Sequence, residues 1–299
     1  LFFIIFLPVI AVGAMWSQGQ SEGMRKLSLA DFAITNLYVD EVDENKLVED
    51  AIRGMLDKLD PHSTYTTAEE TREMNEPLQG NFSGVGIQFN MNKDTLYVIQ
   101  TIVGGPSEKV GILAGDRIIA VNDTTIAGVK MKNTDIMKRL RGESGTVVRV
   151  TVLRKGVKEP IEFRIVRDKI PIYSIDASYM ADKETGYIRV RRFAVTTDKE
   201  FSDAIKELKK KGMKNLIVDL QGNGGGFLTS AIAMADEFLD DGQSIVYTEG
   251  RRSPRDDAFA SKRGQFQKGK LVLLVDESSA SASEILSGAI QDWDRGIIV

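Results

Sequence analysis

Two short stretches of the chain hold residue types that could do chemistry, each where an apolar run gives way to a helical repeat. In one, Leu271–Val275 ends at Asp276-Glu-Ser-Ser-Ala-Ser-Ala-Ser-Glu284. Ala282, Ile285, Leu286, Ala289 and Ile290 then recur at helical spacing, which predicts a strand, a tight turn and a helix. A serine on such a turn is held at the end of a rigid sheet. The helix N-terminus beside it offers free N–H groups and a partial positive charge. Acyl transfer needs that combination, an exposed hydroxyl with backbone donors for the oxyanion that develops. Ser281-Ala-Ser-Glu284 also fits a capping box, in which the serine caps the helix and the glutamate reaches back to it.

The other stretch, Asp219-Leu-Gln-Gly-Asn-Gly-Gly-Gly226, follows the apolar Asn215–Val218. Leu228, Ala231, Ile232, Ala235, Phe238 and Leu239 come after it, again at helical spacing. A run of three glycines lets the backbone approach a ligand closely and turn its amides toward it. A plain tight turn or a phosphate loop is the alternative. No Lys-Ser/Thr follows and G-x-G-x-x-G is not met, which disfavours a nucleotide. Serine on one unit and glycine amides on the other read as two halves of an acyl-transfer site. The single histidine, His62, lies in Leu59-Asp-Pro-His-Ser-Thr, where a loop or helix-cap role is the ordinary expectation. There is no cysteine, and neither G-x-S-x-G nor S-x-x-K occurs at the serine. A lysine base remains, desolvated so that its pKa falls from about 10.4 toward about 7–8.

On these residues the chain resembles the carboxyl-terminal processing proteases, PDZ-containing serine peptidases with a Ser-Lys dyad. Ser-Ala-Ser-Ala-Ser-Glu-Ile (279–285) matches the family's nucleophile motif, whose catalytic serine directly precedes Ala-Ser-Glu, here Ser281. Asp219-Leu-Gln-Gly-Asn-Gly-Gly-Gly matches the family's Asp-Leu-Arg-x-Asn-x-Gly-Gly. The resemblance implies an oxyanion hole made of the Gly226 and Ala282 N–H groups. Gln221 stands where the family usually has arginine, which removes that side chain's usual ion pairing. The family's lysine follows the serine by about two dozen residues in a Gly-Lys-Gly turn. The chain opens at Leu1 without methionine and stops at Val299, so both ends read as cut and the 299 residues are expected to be catalytically incomplete.

The middle of the chain carries the same resemblance independently. Gly84-Val-Gly-Ile87 is similar to the carboxylate-binding loop of PDZ domains, where backbone amides grip a peptide C-terminus and the peptide adds a strand. Gly105-Pro-Ser-Glu-Lys-Val-Gly-Ile-Leu-Ala-Gly-Asp116 and Arg117–Asn122 match the most recognisable PDZ stretch. Period-two strands at Val147–Leu153 and Ile161–Val166 complete a module at about 82–168.

The elements that must position these residues follow from pattern. Helical spacing over Leu29, Phe32, Ala33, Leu37 and over Leu47, Ala51, Ile52, Met55, Leu56 and Leu59 predicts a helical N-terminal region at about 27–80. Strand–helix alternation beyond about 172 predicts an α/β core, for which the resemblance implies a crotonase-like ββα protease arrangement. Arg251–Gly264 is polar and reads as an exposed loop between strands. With 42% hydrophobic residues and a net charge of −4, the chain suits about two real cores and no nucleic-acid partner. Leu1–Trp16 fits a signal h-region with Val12-Gly-Ala14 as a cleavage site; an uncleaved membrane anchor is the alternative. Either reading places the rest in a bacterial periplasm or cell envelope. The expected function is that of a serine endopeptidase acting on proteins or peptides recognised by their C-termini, with no metal and no cofactor. The rival is a PDZ adaptor that keeps the fold without the chemistry.

Overall fold

The computed structural model describes residues 21–299, so the signal or anchor expected at Leu1–Trp16 lies outside the described residues. The described residues divide into two compact units, one ending at Thr71 and the other running from Arg72 to Val299. In the first, α1 (Glu22–Leu37) starts at Ser21 and α2 (Glu44–Leu56) at Asp43. The Ser21 hydroxyl accepts from Met24 N–H at 3.3 Å and the Asp43 carboxylate from Lys46 N–H at 3.2 Å, satisfying donors that the first helical turn leaves open. α3 (Ala68–Asn75) spans the division. His62 sits in a turn, where its N–H and the Ser63 hydroxyl both donate to the Asp60 carboxylate, and its side chain is 95% exposed.

The second unit begins with a β-rich module. It contains β1 (Asn81–Gly84), β2 (Ile87–Asn92), β3 (Thr95–Thr101), α4 (Pro106–Lys109), β4 (Arg117–Val121) and β5 (Thr124–Thr125). α5 (Asn133–Leu140), β6 (Val147–Leu153), β7 (Ile161–Val166) and β8 (Asp168–Pro171) follow. The main sheet runs β2-β3-β4-β6-β7 and is antiparallel, with β5 beside β4. Val148, Val150 and Val152 are fully buried while Val147 and Arg149 face out, the period-two pattern the sequence carries. α5 buries Ile136 and Leu140. β1 pairs with β8, so the two ends of the module lie side by side.

The α/β core contains β9 (Ile175–Met180), β10 (Thr185–Val190), α6 (Thr197–Lys210), β11 (Asn215–Asp219) and α7 (Leu228–Asp236). It continues with β12 (Ser244–Gly250), β13 (Ser253–Phe259), β14 (Leu271–Leu274), α8 (Ala282–Asp292) and β15 (Ile297–Ile298). The sheet order is β15-β14-β11-β10-β9; only β9 is antiparallel to its neighbour. One sheet face, including Ile188, Val190, Val218 and Leu273, shares a buried cluster with Phe201, Ile205, Met234, Leu286 and Ile290 of the helices. Burying one such side chain contributes about 1.5–3 kcal/mol, so this cluster fixes the sheet and, with it, the strand ends. β11 and β14 are parallel neighbours, so the loops that leave them emerge at the same sheet edge, where α/β folds place ligands. The stretch expected to be a loop is half a hairpin: β13 pairs with β12, and Arg255 donates to Asp257 and lies 3.8 Å over the Tyr247 ring.

Candidate active site

The serine turn leaves β14 and enters α8 through Ser281, which is exposed between the half-buried Ser279 and the buried Ala282. Its backbone stands at φ 57, ψ −111, a conformation that costs a non-glycine residue about 1–3 kcal/mol. Other caps of the same chain show what capping alone requires: Ser21 (φ −61, ψ 155) and Asp43 (φ −74, ψ 104) are both extended. The Glu284 carboxylate accepts from Ser281 N–H at 2.5 Å, so the glutamate reaches back as a capping box would have it. A plain cap needs no left-handed serine, and the strain marks a site where the turn does something further.

The glycine loop leaves β11 and is tied to the serine turn by Asn223. This buried residue donates from its amide to Val190 O at 2.9 Å and accepts from Gly225 N–H at 2.9 Å. Its carbonyl receives Ala280 N–H at 3.2 Å and the Ser283 hydroxyl at 2.9 Å. Gly225 (φ 100) packs against the serine itself: a Cβ there would lie 2.9 Å from Ser281 Cβ and 3.0 Å from Ala282 N. Gly226 (φ 146) is pressed on the neighbouring strand end, where a Cβ would overlap the Phe193 carbonyl. Phe193 N–H donates to Gly225 O and Phe227 N–H to Phe193 O. The Gly226 and Ala282 N–H groups take no part in these bonds. The structure therefore brings together Ser281, Ala282 and the Gly225–Gly226 peptide, residues that the sequence separates by more than fifty positions. Asn223 and Asp276 were not singled out from the sequence. The signal available for the second is an Asp-x-Ser turn at a strand end, with Asp276 accepting from Ser278 N–H at 3.0 Å.

Asp219 is buried at the mouth of the glycine loop. It accepts from Gln221 N–H at 2.9 Å and from the Tyr187 hydroxyl at 2.5 Å, with Arg189 Nε 3.7 Å away. Gln221 is exposed, and the cation beside Asp219 comes from β10. Burial, and then the bond to Asp219, push the Tyr187 hydroxyl up to about 12.

The expected peptide loop forms one end of a second depression. Phe82, Val85, Gly86, Ile87, Phe89, Met137, Leu140 and Arg141 line an open groove between β2 and α5. Val85 O accepts from Ser107 N–H and Ser107 hydroxyl, and Gly86 O from Ile102 N–H, so the loop's carbonyls face the module. Gly86 (φ 73) has Ile170 and Pro106 too close for a Cβ. β2 is the edge strand of its sheet, the position from which a bound chain can extend the ladder.

Residues 184–299 match peptidase family S41, residues 83–165 a PDZ domain, and residues 11–71 an activating protease CtpB N-terminal domain. A carboxy-terminal-processing protease of Bartonella bacilliformis is 38% identical over 88% of this chain and 60% of its own length. The carboxy-terminal processing proteases CtpA and CtpB of Bacillus subtilis are 34% and 32% identical over 98% and 95% of this chain. The matches cover 65% and 60% of those two proteins, so the chain spans about three-fifths of the length of these relatives. Among solved structures, a photosystem II D1 C-terminal processing protease is 27% identical with a TM-score of 0.47, covering 93% of this chain and 81% of that one. By the family and sequence matches, residues 184–299 carry a peptidase family S41 domain behind a PDZ domain, and the chain is similar over most of its length to carboxy-terminal processing proteases.

Proposed function

We propose that this protein is a serine endopeptidase that engages its substrates by their C-termini. The observation that carries the reading is Ser281, held exposed and left-handed against Gly225 at the N-terminus of α8. Ser281 Oγ attacks the scissile carbonyl carbon while its proton passes to a base. The Gly226 and Ala282 N–H groups receive the oxyanion, each such donor being worth roughly a hundred- to a thousandfold in rate. Collapse expels the amine, which takes up the proton held by the base, and leaves an acyl-serine; water, giving its proton to the same base, hydrolyses it and frees Ser281. The base is a lysine, as the family's Ser-Lys chemistry requires; the single histidine lies exposed in the turn at Asp60. The PDZ groove takes the substrate's terminal residue between β2 and α5, with its carboxylate at the Val85–Ile87 amides. The apolar Leu1–Trp16 supports export to the periplasm or cell envelope, or anchoring there, which fractionation of the native protein would test.

Ser281→Ala in the full-length protein is the direct test. Turnover of a free-acid peptide should vanish while the fold persists, since losing a cap costs only about 0.5–2 kcal/mol. Retained turnover would end the nucleophile assignment.

A further inference from the structure

We propose that Asp276 is a positioning residue for this reaction: its carboxylate fastens the glycine loop to the serine turn and so sets the Gly226 amide relative to that of Ala282. The proposal rests on the serine-peptidase reading. Both carboxylate oxygens accept from Gly222 N–H at 3.0 Å, across 54 positions of sequence. One of them also accepts from Ser278 N–H at 3.0 Å and from the Ser279 hydroxyl at 3.3 Å. The same carboxylate thus shapes its own turn and holds the facing one.

The consequence follows from where the remaining freedom lies. β11 and β14 are fixed by the sheet and by the buried cluster beneath them, so only the loop tips can shift. Inner ties already join the loops: the Ser279 hydroxyl also reaches Leu220 O at 2.9 Å, and Ala280 N–H reaches Asn223 O at 3.2 Å. Asp276 holds the outer tip at Gly222 (φ 72), from which the chain runs through Asn223 and Gly225 to Gly226. Gly222 N–H, ahead of the smaller bonds within its own turn, keeps the Asp276 carboxyl below its ordinary range against the opposing effect of burial. The clamp is therefore charge-assisted, a type of bond roughly twice as strong as its neutral counterpart.

Asp276→Asn keeps the shape but removes the charge and one acceptor oxygen. In the full-length protein, kcat should fall by about 10–100-fold with KM within about twofold, because oxyanion donors act chiefly in the transition state. Glu277→Gln, the same charge change on the exposed neighbour, should leave both constants alone. Hydrogen exchange of the Gly222 amide should quicken at least about tenfold in Asp276→Asn. A kcat within twofold of wild type, or an equal loss in Glu277→Gln, overturns the proposal. If Asp276→Asn fails to fold, Ser279→Ala loosens the same junction without touching the charge, and an unaltered kcat there overturns it as well. Should wild-type protein neither turn over nor react at Ser281 with a peptidyl fluorophosphonate, the peptidase reading falls separately. The Gly222 exchange rate then decides the clamp, and an equal rate in both proteins overturns it.

Discussion

Ser281 and Gly226 both sit in backbone conformations suited to glycine, but their substitutions should move stability in opposite directions. Ser281→Gly relieves the strain at φ 57 and Ser281→Ala does not. The glycine variant should therefore be the more stable by about 1 kcal/mol, after allowing for glycine's greater unfolded-state entropy, while both are inactive. Paired thermal melts check this, and an alanine variant that melts higher contradicts the left-handed serine. Gly226→Ala drives a methyl into the Phe193 carbonyl and should destabilise by about 2–4 kcal/mol, measured by urea unfolding. Tyr187 supplies a pH test. Its folded pKa is raised to about 12. The stability that this raised pKa contributes is fully present below the unfolded value of about 10 and is lost as pH rises from there toward about 12. Stability should fall over that window, and less steeply in Tyr187→Phe. At this scale the sequence was legible where chemistry imposes a local pattern, in the serine and glycine motifs. Asp276 and Asn223 escaped because their partners lie far along the chain, at Gly222 and at Ala280 and Ser283, and no spacing announces such a bond.

The same division appears among the elements. β6 alternates buried and exposed residues and was legible, as were the helices over Leu228–Asp236 and Ala282–Asp292, whose apolar stripes meet the core. β13 was not, because all but one of its residues are exposed and no alternation survives in a ribbon with both faces in water. What holds it is polar and cross-strand: Asp257 lies opposite Tyr247, and Arg255 bridges the two. The groove between β2 and α5 makes a prediction of its own. Amidating a peptide's C-terminus removes its charge and an acceptor, leaving loop amides poorly paired at a cost of about 1–3 kcal/mol. Affinity should weaken about ten- to a hundredfold by titration calorimetry. Equal affinity for the acid and the amide would show that Val85–Ile87 does not read termini.

For the molecule as a whole, every buried hydrophobic residue among the described residues lies between Val85 and Ile290. Residues 72–299 should accordingly unfold cooperatively when produced alone, as followed by circular dichroism in urea; a broad, non-cooperative transition would contradict that division of the chain. Within this unit, Asn81 lies opposite Pro171, and Ile172 N–H donates to Gly80 O at 2.8 Å. Strand partners stand about 4.5–5.5 Å apart, so the chain leaves for the PDZ module and returns from it at nearly one point. In engineering terms the module is a cassette. A linker of two or three glycines from residue 80 to residue 172 could close the gap, and a different reading head could be spliced in at the same junction without re-threading the protease core.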